Sequence, residues 1–462
     1  MKTKFVLFIT AVALSLTACM VGGKYSPEEM PQVSASTQFP HDTLPIDSLP
    51  LIGWWEVYKD TVLQRFINTT LENNRNLMEA AMRIEEAREI AGIVKVNVWP
   101  SFGYQASAGG GQAGSEALKV AGGVDQGVIQ TYATMSWEID LWGKLRHANE
   151  STYQAYLAET EYRNGLVVSL VGETAQLYLL LRDLDNRLAI AERTLLSRRE
   201  STRIITDRFN QGYVSEIDKL QAEQQEYVVE AAIQSLTRQI IITQNALKVL
   251  MGEAPGQLPR GESLYAQNLP EIPPGLPSEL LLRRPDIRAA EREVESQFNR
   301  IGVAKANLYP SISLTGILGF ASPQLSTLIS DGGFVANGFA GIVGPIFEFQ
   351  KNRRRVKAEE YRTQQLVYRY EQTVLEGLSE VDNALTEYRT YNLEHQARAK
   401  QMEAARKALE LTRAKYDYGY TSYYEVLIQE NYLFDAELEE SFTQQRQLTA
   451  ISNLYKALGG GW

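Results

Sequence analysis

The sequence predicts a mainly α-helical chain with a small transmembrane β part, the whole plan written twice. Three observations predict it: two proline-free stretches with apolar residues at heptad spacing, short segments alternating polar with apolar residues, and an internal repeat.

The repeat sets the frame. "WPSFGYQASAGG" at Trp99 returns as "YPSISLTGILGF" at Tyr309, the two prolines 210 residues apart. "MSWEIDLWGKLR" around Asp140 returns as "VGPIFEFQKNRR" around Glu348, an offset of 208. "RFNQGYVSEIDKLQAEQ" from Arg208 returns as "KYDYGYTSYYEVLIQEN" from Lys415, the glycines 207 apart. Each half therefore reads helix, strand, loop, strand, very long helix, break, long helix.

The long helices follow from periodicity. No proline interrupts Lys144 to Asn210, and Leu177, Leu181, Leu184, Leu188, Ala191 and Leu195 step by four and three. Val374, Leu378, Val381, Leu385 and Tyr388 do the same in the second half. About 65 residues at 1.5 Å each make a helix of roughly 100 Å, so an elongated fold is expected. Gly212 and Gly419 supply the positive φ that ends a helix and starts a turn.

The strands separate this chain from a plain coiled coil. In "VIQTYATMSWEIDL" Gln130, Tyr132, Thr134, Ser136, Glu138 and Asp140 alternate with Ile129, Ala133, Met135, Trp137, Ile139 and Leu141. Ile312, Leu314, Leu318 and Phe320 alternate with Ser311, Ser313 and Thr315, and Phe339, Val343, Phe347 and Phe349 are expected along one side of a fourth strand. Such strands suit a tilted membrane crossing, with the Gly-rich loops "GGGQAGSEALKVAGGVDQG" and "SPQLSTLISDGG" at the extracellular end. Four strands cannot close a barrel, and open edges are not tolerated in lipid. Three copies would supply twelve strands, enough for a water-filled pore that the long helices continue below the membrane.

The N-terminus "MKTKFVLFITAVALSLTAC" has a positive end at Lys2 and Lys4 and a short apolar stretch from Phe5 to Leu16, as a secretion signal does. It ends at the only cysteine of the chain, Cys19. "LTAC" resembles the bacterial lipobox, so Cys19 is expected to carry covalent lipid, which holds a chain at a membrane. Beyond this signal no run of about 20 apolar residues is present, which argues against a helical membrane bundle. The net charge is −10, which argues against nucleic acid as a partner.

Several segments resemble the TolC-type outer-membrane efflux channel family, in particular its OprM-like (NodT-like) lipoprotein branch. They are "WWEVYKDTVLQRFINTTLENNRNLMEAAMRIEEAR", "LPSELLLRRPDIRAAEREV" followed by "IGVAKANLYPSISLTGILGF", and the terminal "LYKALGGGW". The resemblance covers nearly the whole mature chain. It implies a homotrimer with a twelve-stranded β-barrel continued by a long periplasmic α-helical barrel, and an equatorial collar. It also implies docking to a periplasmic adaptor protein and an inner-membrane RND-type transporter. On this plan residues 1–18 are the signal peptide and 19–54 a lipidated, extended segment. Residues 55–98 are the helices of repeat 1, 99–142 strands 1–2 and their loop, and 143–252 a helical hairpin turning near 212. The Pro/Gly-rich 253–277 forms the equatorial linker, 278–308 the helix of repeat 2, 309–349 strands 3–4, 350–458 the second hairpin turning near 419, and 459–462 the tail.

The implied function is passive export: small molecules enter from a pump and leave through a gated lumen. Outer-membrane lipid surrounds the barrel. The alternative within the same fold is a duct for an ABC-type protein secretion system. Gly212, Tyr213, Gly419 and Tyr420 mark the turns where an adaptor would dock. In that branch the positions of Tyr424 and Ile428 hold a gate-lining leucine and an aspartate. This chain departs at both, so the expected constriction is Tyr424, with Glu425 or Asp218 nearby.

Other motifs have plainer readings. "GGGQAG" from Gly109 fits a dinucleotide fingerprint only formally, because a Gly/Ala loop and not a helix follows. His41, His147 and His395 lie far apart in sequence and from Cys19, so no metal site, cofactor or enzymatic activity is expected. Pro285 in "RRPDI" suits a helix first turn, and Arg283 and Arg284 are expected to pair with acidic residues of the collar. "NRRRVK" at Asn352 follows the fourth strand and is placed at the periplasmic membrane surface, where arginine meets lipid phosphate.

Overall fold

A computed structural model describes residues 20–23, 25, 53–109, 128–267, 283–329 and 333–460. Cys19, His41, the signal stretch, the core of the first Gly-rich loop and residues 268–277 of the expected linker lie outside these residues. The elements, in order, are α1 (Trp54–Val57), α2 (Thr61–Asn73), α3 (Arg75–Val96), β1 (Ser101–Gly109), β2 (Val128–Ile139), α4 (Lys144–Asn210) and α5 (Glu216–Leu250). Then come α6 (Pro285–Ala306), β3 (Ser311–Ser322), β4 (Phe334–Val343), α7 (Lys351–Asp417) and α8 (Tyr423–Ala457). The repeat extends to helix lengths: α4 and α7 have 67 residues each, α5 and α8 have 35 each.

The chain forms two compact units. The first comprises Met1–Pro31, Arg83–Thr160 and Ala289–Glu371; the second Gln32–Met82, Glu161–Arg288 and Gln372–Trp462.

The first unit holds one antiparallel sheet of order β1-β2-β3-β4. Its register sorts the side chains. Gln105, Gln130, Tyr132, Thr134, Ser136, Glu138, Ser313, Thr315 and Asn337 share one face. Phe102, Tyr104, Met135, Trp137, Leu314, Leu318, Phe320 and Ile342 share the other. β4 departs from expectation twice. It stops at Val343, because Gly344-Pro345 removes a ladder donor, so Phe347 and Phe349 lie beyond the strand. Phe339 and Val343 fall on the polar face, opposite Thr315 and Ser311, and the apolar side of β4 is Phe334, Ala336, Ala340 and Ile342.

All four helix connections leave the same end of the sheet. At one of them Asp140 lies past the strand and accepts the N–H groups of Leu145 and Arg146, each at 3.0 Å, capping α4. Trp142 stacks on Tyr309 at 4.7 Å and donates its indole N–H to the Pro310 carbonyl.

The second unit is helical, with a core of Tyr58, Leu63, Phe66, Ile67, Tyr178, Leu181, Leu184, Leu247 and Met251. Each such buried side chain stabilises the fold by about 1.5–3 kcal/mol. The heptad positions of α4 behave as spaced: Leu181, Leu184 and Ala191 are buried, with Leu177, Leu188 and Leu195 packed against them. One window of α4 is apolar enough to cross a membrane by length and composition, and half of it is buried inside the protein.

Candidate functional site: the paired helix turns and the Asp60 cluster

Both helix turns lie in the second unit and share one geometry. After α4, Gly212 adopts φ +78°, its N–H bonds to the Phe209 carbonyl and the Tyr213 N–H to the Arg208 carbonyl, both at 2.9 Å. After α7, Gly419 adopts φ +78° and the matching bonds run to Tyr416 and from Tyr420 to Lys415, again at 2.9 Å. This is the six-to-one closure that a left-handed glycine permits. Tyr213 and Tyr420 project into solvent beside the two glycines.

The helices after the turns start differently. Ser215 and Asp218 form a reciprocal capping box on α5: the Ser215 hydroxyl accepts the Asp218 N–H, and the Asp218 carboxylate accepts the Ser215 N–H and hydroxyl. At α8 the corresponding Ser422 makes no side-chain cap bond and Glu425 is exposed. Asp218 thus already has a local structural task. Tyr424 is 53% exposed. Ile428, one turn on, is half-buried.

Beneath the turns the two hairpins pack together through Ile205 and Ala222 on one side and Leu409, Tyr423, Val426 and Leu427 on the other. Arg208 donates to the Tyr416 hydroxyl at 2.6 Å and lies over its ring. Deeper, Arg198 and Glu430 form an ion pair at 3.0 Å with side chains only 2% and 5% exposed. Glu430 also binds Arg413 at 2.6 Å, and Arg198 donates to Asn431 at 2.9 Å. Burial pulls the Arg198 guanidinium below its ordinary range against the pull of Glu430. Burial first, then Glu430, pushes the Tyr423 phenol up to about 12. This charged seam was not foreseen from the sequence, because 232 residues separate Arg198 from Glu430.

The second cluster centres on Asp60, which is buried and caps α2 through Val62 and Leu63. Its other oxygen accepts the Tyr178 hydroxyl at 2.5 Å, the Glu262 N–H at 2.9 Å and the Gln267 amide at 2.9 Å. Burial pushes the carboxyl up, but these bonds together hold it below the usual carboxylate range. One carboxylate thereby ties α2, α4 and the described part of the expected linker. Separately, α6 opens at Pro285 as expected, and Arg284 pairs with Asp286 and Glu380, both at 2.7 Å, and donates to the Ala457 carbonyl. Among the described residues no group of three His, Cys, Asp or Glu side chains is placed to hold a metal ion.

The sequence matches the family described as "Outer membrane efflux protein" over residues 66–253 and 276–460. The chain belongs to this family. It is 32% identical to a toluene efflux pump outer membrane protein of Pseudomonas putida, over 88% of this chain and 87% of that one. It is 31% identical to the cation efflux system protein CusC of Escherichia coli over 98% and 97% of the two chains. Among solved structures, CusC superposes with a TM-score of 0.86 at 28% identity, covering 96% of this chain and all of that one. The open state of the Neisseria gonorrhoeae MtrE outer membrane channel gives 0.84 at 28% identity, over 96% and 98%. This efflux protein therefore resides in the outer membrane and serves as the outer-membrane component of an efflux system. Its sheet, with one polar and one apolar face, is the part that fits a membrane wall.

Proposed function

We propose that three copies of this efflux protein close their sheets into one twelve-stranded barrel and conduct small molecules outward, passively, from a periplasmic adaptor and an inner-membrane RND-type transporter. The observation that carries the reading is the sheet itself. Its two edges are unpaired among the described residues, one face is apolar, and the other presents Gln105, Gln130, Thr134, Glu138 and Asn337. The apolar face goes to lipid, and the polar face lines a water-filled lumen. Lipid on Cys19 anchors the chain to the membrane.

In the same reading the turn at Gly419 is the moving part. Tyr424 supplies a ring of three aromatic side chains across the lumen, with Glu425 beside it. Asp218 holds its capping box, and Gly212, Tyr213, Gly419 and Tyr420 meet the adaptor. The relatives' names include both an organic solvent and a cation, so the transporter partner decides the cargo. Deleting the gene and scoring sensitivity to organic toxicants tests this directly. Sensitisation supports the reading; loss of a secreted protein without sensitisation opposes it.

A further inference from the structure

The two strand-to-helix junctions of the first unit are copies of one another, yet they treat their cations differently. In the first, Lys144 pairs with Glu138 at 2.9 Å and Arg146 with Asp140 at 3.2 Å. Counted from the two helix starts, the matching positions of the second are Lys351 and Arg353, followed by Arg354, Arg355 and Lys357. All five are exposed, and none forms an ion pair with a carboxylate among the described residues. Arg355 donates only to its neighbour Asn352, at 3.2 Å. Cations in the first turns of a helix oppose its dipole, so local helix stability does not account for them.

The residues just before this cluster are apolar and open to solvent. β4 ends its apolar face on Ile342, and Ile346, Phe347 and Phe349 follow, the two phenylalanines 74% and 82% exposed. Their rings pack together at 4.5 Å. Aromatic rings at the margin of an apolar sheet face, followed at once by unpaired cations, match the chemistry of a bilayer interface. Arg355 also lines a groove with Arg300 and Asn307, which offer further donors to a phosphate oxygen. The carboxylate in that groove, Glu359, is already engaged by Arg362 and Gln297.

We infer that the β4–α7 junction is a binding site for anionic phospholipid headgroups. Phe347 and Phe349 sit at the hydrocarbon boundary, and Lys351, Arg353, Arg354 and Arg355 reach the phosphates. The first junction lacks this capacity because Glu138 and Asp140 neutralise its cations, whereas Glu348, the counterpart of Asp140, forms no ion pair with the second cluster among the described residues. The inference rests on the sheet's place in a membrane, not on conduction, so it can fail while the duct reading stands.

The test is thermal unfolding of the full-length protein reconstituted in phosphatidylcholine vesicles with and without phosphatidylglycerol. Wild type should unfold at a higher temperature in the anionic vesicles, and added salt should reduce the difference. A basic side chain near an anionic surface favours it by about fivefold, so the triple variant Arg353→Gln, Arg354→Gln, Arg355→Gln should lose on the order of a hundredfold in preference. That variant should keep its midpoint in neutral lipid, and the triple lysine variant should retain most of the anionic increment. If the glutamine variant does not fold, the lysine variant and the salt dependence decide alone. Equal increments in wild type and the glutamine variant would overturn the inference. So would an increment reproduced by inorganic phosphate in neutral vesicles, or an altered ion selectivity in planar bilayers with the lipid response intact, which would place the cluster in the lumen.

Discussion

Glu430→Gln should loosen the paired hairpins far more than Arg198→Met, although the two residues form one ion pair. The reason is the third member. With Arg198 removed, Glu430 keeps Arg413 at 2.6 Å. With Glu430 removed, Arg198, only 2% exposed, is left with one amide oxygen, that of Asn431. An unpaired buried charge costs about 3–5 kcal/mol, whereas losing one of two partners costs about 1–2 kcal/mol. Amide exchange along α8 reads this locally. Glu430→Gln should speed exchange around position 430 by about a hundredfold or more, and Arg198→Met by roughly tenfold. Combining the two should fall near Arg198→Met rather than near their sum, because the buried charges leave together. Equal single effects, or strict additivity, would show that Arg413 does not hold Glu430 once Arg198 is gone.

Other outcomes follow from the same geometry. Ser215→Ala should cost about 1 kcal/mol and speed exchange in the first turn of α5, while Ser422→Ala, which removes no cap bond, should leave α8 nearly unchanged. Asp60→Asn sets an amide N–H among the Tyr178, Glu262 and Gln267 donors and should cost on the order of 3 kcal/mol in thermal or denaturant unfolding. The Asp60 carboxyl is held low, so its contribution is present above the unfolded carboxylate range and is lost as pH falls through the folded value. Asp183, raised by burial despite its bond from Ser441, has the opposite sign: its contribution is complete below the unfolded range and is lost as pH rises through the folded value. Asp183→Asn should therefore flatten the pH dependence of unfolding between acid and neutral pH, and Asp60→Asn should remove the loss at the acid end.

Much of the architecture was legible because it is local and written twice. Heptads need only their own spacing, so the α4 core positions could be named from the sequence. The glycine turns likewise depend on one residue each. The strand faces of β2 and β3 followed from alternation alone. β4 did not, because its aromatic residues occupy both parities and Gly344-Pro345 ends pairing before Phe347. The Arg198–Glu430–Arg413 seam and the Asp60 cluster were not legible. Their partners lie far apart in sequence, and a charged residue on a long helix looks solvated until its neighbour is known. Asp218 shows the converse: a carboxylate placed at the turn by sequence proves to be spent on its own helix start.

Planar-bilayer recording of the purified protein tests whether it forms a gated pore. Discrete conductance steps should be rare in wild type and become larger or more frequent in Tyr424→Ala. Steps unchanged by Tyr424→Ala would contradict the gate, and no conductance in either protein would contradict the duct.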